Sequence, residues 1–317
     1  MGYLQDGKWV DGPRPIDASG DFKRQAAQFR KRVTADGSSG FPAAAGRYHL
    51  YISVACPWAH RTLIFRKLKK LEEAISLSIV APVMSREGWA FDAEWPDHLN
   101  GFHHMHQVYT LAAPDYSGRV TVPVLWDKQR RTIVNNESSE IIRMLNSEFA
   151  AFTDDRADYY PEPLRADIDS MNELVYECVN NGVYRCGFAT TQAAYERAFG
   201  RLFDALDQLE ERLSRQRYLA GDVITEADWR FFTTLIRFDA VYVGHFKCNL
   251  RRIDDYHHIS NYLRELYQVP GVAETVDIQQ YKRHYYLSHE NINPTRIVPV
   301  GPALDFSRPH DRGDRAR

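Results

Sequence analysis

Positions 56 to 59 read Cys56-Pro57-Trp58-Ala59, between a strand-like run, Tyr48 to Val54, and a helix-like run, His60 to Ala74. That order has consequences for sulfur chemistry. Proline suits the first turn of a helix, where its missing N–H would be unpaired in any case. The cysteine before it then lies beside several unpaired backbone N–H groups and the positive end of the helix dipole. Both favour thiolate over thiol, so the Cys56 sulfur is expected to be nucleophilic near neutral pH. A dithiol redox motif would place a second cysteine at the fourth position, where Ala59 stands. The site therefore holds one sulfur, and a cycle through a disulfide needs a second thiol from solution. A cysteine outside a disulfide is more commonly a buried, inert packing residue. The strand–Cys-Pro–helix context shifts the balance to the reactive reading.

The elements that must position this sulfur are legible. Tyr48 to Val54 and Ile75 to Val83 flank the cysteine-led helix as a βαβ unit. Residues Met84 to Gly118 form a long aromatic insertion without a clear period. Val120 to Trp126 and Thr132 to Val134, joined by a polar turn at Asp127 to Arg131, predict an antiparallel hairpin. A helix follows over Ser138 to Phe149, with Ile141, Ile142 and Leu145 on one face. The order β-α-β-(insertion)-β-β-α is that of an α/β thioredoxin-like domain. Pro123 falls inside a run that otherwise reads as a central strand, where proline is disfavoured. A cis Val122–Pro123 bond would reconcile the two.

The chain beyond Thr153 to Pro163 is helical by pattern: Leu164 to Asn180, Gln192 to Arg215, Glu226 to Val241, Asp255 to Gln268 and Gly271 to Tyr286. Thr225 and Asp228 have the spacing of a capping box, with Ile224 and Trp229 in the staple positions. The predicted division is an N-terminal extension over 1–45 with a short helix near Asp21 to Val33, a thioredoxin-like domain over 46–152, an all-α domain over 153–306, and a charged, disordered tail over 307–317.

With 317 residues, 44% of them hydrophobic, the chain is long enough for two cored domains. A formal net charge of −2 gives no basis for binding nucleic acid or an anionic membrane. No apolar run approaches the roughly 20 residues of a membrane span, and Met1 to Val10 lacks a signal-peptide core. Four cysteines in total, the others being Cys178, Cys186 and Cys248, fit a reducing cytoplasm better than a disulfide scaffold. His103, His104 and His106 are adjacent, but no Cys or acidic residue completes a tetrahedral set nearby, so they read as a solvated loop and no metal is expected. His60 reads as a packing or capping residue.

A thioredoxin-like domain with Cys-Pro at its first helix, followed by an all-helical domain, resembles the cytosolic glutathione transferases. The resemblance sharpens with Gly46-Arg47-Tyr48-His49-Leu50-Tyr51, Cys56-Pro57-Trp58-Ala59-His60-Arg61, Asn135-Asn136-Glu137-Ser138, Asn180-Asn181-Gly182-Val183-Tyr184, Arg283-His284-Tyr285-Tyr286, Ile292-Asn293-Pro294 and Val298-Pro299-Val300-Gly301-Pro302. This ordered set, spanning about Gly40 to Pro302, is similar to the xi-class glutathione transferases, the glutathionyl-hydroquinone reductases.

The resemblance implies a reaction: an S-glutathionylated hydroquinone and a second glutathione give hydroquinone and glutathione disulfide, through a Cys56–glutathione mixed disulfide. It also implies roles. The Val122 backbone pairs with the cysteinyl part of glutathione as an added strand. Ser138 and the neighbouring N–H groups suit the γ-glutamyl carboxylate, and Glu137 its ammonium; both residues are equally suited to capping a helix. Trp89 and Arg119 help hold glutathione, although Arg119 also reads as a solvated loop charge. Tyr184 and Tyr285 stand where the family contacts the quinol, as donors and proton relays, with Tyr286 the alternative to Tyr285. Of 18 tyrosines most must be packing residues. A homodimer is implied too. Two other readings share the fold: an omega-like thiol transferase or dehydroascorbate reductase, which does not predict the Asn180–Tyr184 and Arg283–Tyr286 motifs, and a non-catalytic scaffold, which has no use for an activated thiol.

Overall fold

The computed structural model describes residues 2–12 and 15–313 and resolves into two compact units. The first comprises the described part of Met1–Arg14 with Gln25–Ala157. Its four-stranded sheet has the order β4-β3-β5-β6, from β3 (Tyr48–Ile52), β4 (Ile75–Ile79), β5 (Val124–Asp127) and β6 (Thr132–Asn135). β3 runs parallel to β4 and antiparallel to β5, and β5 antiparallel to β6. All five β3 residues are buried, as a strand covered on both faces requires. Helix α1 (Pro57–Leu68) connects β3 to β4, and α3 (Ser138–Ser147) follows β6. The expected α/β arrangement is present. The insertion, read as aperiodic, holds a helix of its own, α2 (Met105–Ala112).

The N-terminus differs from expectation. Residues 2–11 form a hairpin, β1 (Gly2–Gln5) with β2 (Lys8–Asp11). Asp6 and Gly7 both have positive φ, 49° and 72°, as a two-residue hairpin turn of the favoured hand demands. Leu4 exchanges backbone hydrogen bonds with Gly118 at 2.9 and 2.8 Å. The helix expected near Asp21 to Val33 is absent. The chain there is extended beside β6: Lys31 N–H donates to the Val134 carbonyl at 3.0 Å, and Asn136 N–H to that of Phe29 at 3.0 Å. An uncovered sheet edge leaves backbone groups unpaired, and covering it outweighs the local helical pattern. The first 45 residues are thus no separate extension: most join the first unit, and Pro15–Arg24 the second.

The second unit, Pro15–Arg24 with Asp158–Arg317, is helical over its described residues. It contains α4 (Arg165–Leu174), α5 (Gly182–Phe188), α6 (Gln192–Arg215), α7 (Glu226–Arg237), α8 (Val243–His245), α9 (His257–Tyr267) and α10 (Ile278–Ser288). Two predicted helices are interrupted. Wide π-turns occupy Val175–Asn180 and Phe238–Tyr242, where α4 and α7 give way to the next helix. Such turns are rare and concentrate at functional sites.

Every residue of α7 is buried, and the Thr225/Asp228 capping box opens it. Asp228 accepts from Thr225 N–H at 2.7 Å, Leu219 N–H at 2.9 Å and the Tyr262 hydroxyl at 2.7 Å. Burial pushes its carboxyl above the usual range in spite of these donors. Asp228→Ala strands several buried donors at once. It should lower unfolding stability by about 3 kcal/mol, against ~1 kcal/mol for a cap alone, read as a lower denaturant midpoint.

The tail is not disordered over its described part. The Arg308 guanidinium pairs with Asp254 at 2.6 Å. Arg312 is fully buried, its Nε 3.0 Å from Glu265 Oε2 and its guanidinium 5.6 Å from the Tyr262 ring. A buried carboxylate and a helix C-terminus rich in unpaired carbonyls give the arginine partners that composition does not reveal. Residues 314–317 lie outside the described residues.

Candidate active site

Cys56 is the N-cap of α1, with φ −77° and ψ 119°, and Pro57 is the first helical residue. His60 N–H donates to the Cys56 carbonyl at 2.9 Å, closing the first turn. No acidic side chain lies in that turn to cancel the positive end of the helix. Cys56 is partly exposed, and none of the four cysteines is in a disulfide. The Cys56 Sγ lies 3.6 Å from the Val122 carbonyl oxygen, so the thiol donates to the backbone beside the proline.

The Val122–Pro123 bond is cis. β5 begins only at Val124, so the run expected as a strand from Val120 is irregular until then. Val122 is buried, and its N–H takes no hydrogen-bond partner among the described residues. An unmade backbone donor beside the Cys56 sulfur is a place for an extended ligand to pair.

Glu137 caps α3: its carboxylate accepts from Ser139 N–H at 3.1 Å and from the Ser139 hydroxyl at 2.9 Å. Ser138, the first residue of α3, is buried and accepts from Arg61 Nη1 at 3.4 Å. Arg61 is also buried, stacked 4.6 Å from the Trp58 ring. It carries a cation from the cysteine helix to the start of α3, and no role was read for it in the sequence. A charged residue on the inward face of a helix is the signal that points to it.

Trp89 and Arg119 are placed by other contacts. Trp89 is buried between β4 and α2, its carbonyl accepting from Met105 N–H at 2.9 Å. Arg119 is not a solvated loop charge. It is half-buried, donates from Nη1 to the Gly2 carbonyl at 2.9 Å and lies 5.8 Å from the Tyr3 ring. Burial lowers its pKa.

In the second unit, Tyr184 (α5) and Tyr285 (α10) share a hydrogen bond of 2.6 Å between hydroxyls. Tyr242, in the π-turn after α7, bonds the Tyr285 hydroxyl at 3.1 Å. Tyr242 was not foreseen, since nothing local marks it among so many tyrosines. Burial pushes the Tyr242 and Tyr285 phenols well above their usual range, and the neighbouring phenols add to it. Tyr286 is outside this chain of hydroxyls. Its ring packs 4.7 Å from that of His245. The motif Asn180-Asn181 holds the cluster's surroundings: Asn180 Nδ2 donates to Thr234 Oγ1 at 2.7 Å, and Asn181 Oδ1 accepts from Arg24 Nε at 2.7 Å.

The histidines do not sit in a solvated loop without acidic company. His104 caps α2, and His106 Nε2 is 2.8 Å from Glu87 Oε2. Glu87, His104 and His106 bring their ligand atoms within 4.8 Å of one another. The two rings are nearly parallel, 7° apart, and the His104 side chain already accepts from the α2 backbone. A metal must lie on the lone pair of each imidazole, which that arrangement does not favour.

The N-terminal domain description of the glutathione S-transferases matches residues 55–148, and the C-terminal one residues 192–265. The glutathionyl-hydroquinone reductase YqjG of Escherichia coli is 51% identical, over 99% of each chain. Its glutathione-bound structure superposes with a TM-score of 0.92, covering 99% of this chain and 100% of that one at 49% identity. The glutathionyl-hydroquinone reductase PcpF of Sphingobium chlorophenolicum is 54% identical, over 96% of this chain and 97% of its own. A xi-class glutathione transferase from Natrialba magadii superposes with a TM-score of 0.93 at 49% identity, over 98% and 96%. Cysteine-led helix, cis proline, hydroxyl cluster and near full-length similarity agree, and the chain belongs to the xi-class glutathione transferases, the glutathionyl-hydroquinone reductase family.

Proposed function

We propose that this protein is an enzyme that reduces S-glutathionyl-hydroquinones to hydroquinones with glutathione as co-substrate. The observation that carries the reading is Cys56 at the N-cap of α1, its Sγ 3.6 Å from the carbonyl that precedes the cis proline. The Cys56 thiolate attacks the glutathionyl sulfur, an S–S bond forms, and the aryl C–S bond breaks. The aryl carbon takes a proton. A second glutathione attacks the Cys56 mixed disulfide and leaves with its sulfur partner as glutathione disulfide. Sulfur is oxidised by two electrons and the arene is reduced by two. Val122, Glu137, Ser138, Trp89 and Arg119 are assigned to glutathione within residues 46–152. Tyr184 and Tyr285 are assigned to the quinol within residues 153–306, with Tyr286 in support. No step needs a metal. A cytoplasmic homodimer that binds neither nucleic acid nor membrane completes the reading. No helix among the described residues is long and apolar enough to cross a membrane.

Incubation with a glutathionyl-quinol and glutathione should release free quinol and glutathione disulfide in equal amounts. With the second glutathione withheld, intact-mass analysis should find one glutathione per chain, on Cys56. An adduct on Cys178, Cys186 or Cys248 instead would reassign the nucleophile. Mixed-disulfide turnover without quinol release would favour the omega-like thiol transferase, and no reaction at all the scaffold.

A further inference from the structure

A cavity of about 390 Å³ lies wholly within the second unit, and none of its lining residues is assigned to glutathione or the quinol. Small-molecule sites run from ~300 to ~1,000 Å³. Three segments wall it: residues 21–24, the π-turn Val175–Asn180 with its successor Asn181, and the face of α6 that carries Arg197 and Arg201 one turn apart. Four arginines line it, Arg24, Arg185, Arg197 and Arg201, against the carboxylates of Asp21 and Glu177. Two of the four are neutralised: Arg185 pairs with Glu177 at 2.7 Å and Arg197 with Asp21 at 3.0 Å. Arg201 has no carboxylate partner among the described residues, and its Nη2 donates to the Cys178 sulfur at 3.8 Å. An unpaired arginine on an open helix face would be ordinary. Asn181 is not. It is 3% exposed, its Oδ1 accepts from Arg24 Nε at 2.7 Å, and its Nδ2 donates to no acceptor among the described residues. A buried donor left without an acceptor costs about 1–3 kcal/mol. Asn181 borders the cavity, so the acceptor must come from there.

We propose that this cavity binds an anionic amino-acid headgroup, of the γ-glutamyl kind that glutathione carries. The Arg201 guanidinium and the Asn181 amide supply N–H donors for the α-carboxylate, and a guanidinium can hold a carboxylate through two parallel bonds. The carboxylates of Glu177 and Asp21 supply acceptors for the ammonium. A compact dianion such as phosphate would meet those same carboxylates as repulsion. The uncompensated arginine calls for a ligand of net negative charge, which glutamate and glutathione both have through a second carboxylate. The π-turn belongs to this arrangement. It carries Glu177 and Cys178 in the cavity wall, and such turns concentrate at functional sites.

The test uses Cys178 as a reporter. It is partly exposed, so iodoacetamide should alkylate it, and peptide mass analysis follows it apart from the other cysteines. S-methylglutathione, which cannot exchange thiols, should slow the alkylation about 10-fold at ~10 mM for a site of ~1 mM affinity. L-glutamate distinguishes the sources: equal protection means that the headgroup alone is bound, weaker protection that the peptide is. Inorganic phosphate protecting as well as S-methylglutathione would mean a simple anion site and overturn the proposal. Arg201→Gln and Asn181→Asp should each cut the protection to less than about twofold; the second keeps an oxygen for Arg24. No protection in the wild type, or protection that survives both substitutions, would overturn the proposal. So would a Cys178 that reacts only when Arg201→Glu turns a dimer into a monomer in sedimentation, since a second copy would then cover the cavity. Alkylation is read without quinol. Failure of quinol release would therefore remove the reductase reading and leave this site standing, and lost protection would do the reverse.

Discussion

Cys56→Ser will abolish quinol release, lowering kcat by at least ~1000-fold, about 4 kcal/mol of transition-state stabilisation. A serine hydroxyl is not ionised near neutral pH, and an alcohol is a poor nucleophile toward divalent sulfur. The helix will not suffer. Cys56 makes no side-chain capping hydrogen bond in this structure, whereas serine is among the best N-cap residues. The variant should therefore melt at or slightly above the wild-type temperature. That combination separates chemistry from folding: activity is lost while stability holds or rises by up to ~1 kcal/mol. Steady-state assay with a glutathionyl-quinol and a thermal melt on the same preparation check both halves. Retention of most of the activity would end the mechanism, because no other cysteine caps a helix beside the cis proline.

Local signals account for what the sequence discloses about this site. The Cys-Pro junction, the alternating strands and the Thr225–Asp228 box each depend on neighbours within a few residues, and each is present in the structure. The Asp6-Gly7 turn is equally local, since a two-residue Asp-Gly between Leu4 and Trp9 is a hairpin signal. The remaining misses come from partners far along the chain. Residues 29–31 are extended because β6, more than 100 residues away, offers an open edge. Arg312 is ordered because Glu265 and Tyr262 receive it. Glu87 reaches His106 across 19 residues of insertion. Tyr242 gains its place from Tyr285, 43 residues on. Propensity has no access to any of these pairings, and the family motifs that mark Tyr184 and Tyr285 do not extend to Tyr242.

Three Phe substitutions in the tyrosines of the helical unit should have unequal effects, and the inequality assigns their roles. Breaking the aryl C–S bond leaves negative charge on carbon unless the ring takes its keto form, so a donor to the quinol oxygen matters most in the transition state. Tyr184→Phe removes the end of the hydroxyl chain with little change in packing. It should lower kcat by ~10- to 100-fold, a loss of about 1.4 to 2.7 kcal/mol, with KM nearly constant. Tyr285→Phe should lower kcat over the same range and also lower stability. Its hydroxyl joins two others inside the core, and removing it takes a buried hydrogen bond from each, a loss of about 1–3 kcal/mol in all. Tyr286→Phe should stay within about threefold of wild type in kcat, since its ring packs on His245 outside the chain. Exchange with a small disulfide should be unaffected in Tyr184→Phe and Tyr286→Phe, because no quinol oxygen is present to need the donor. Rate and denaturant midpoint measured together distinguish the three. If Tyr286→Phe lost the activity and Tyr285→Phe kept it, the quinol would belong to Tyr286, and the hydroxyl chain would be only a device for holding α5, α10 and the π-turn together. If all three matched wild type, proton delivery to the aryl carbon would come from solvent, and the tyrosines would be packing residues.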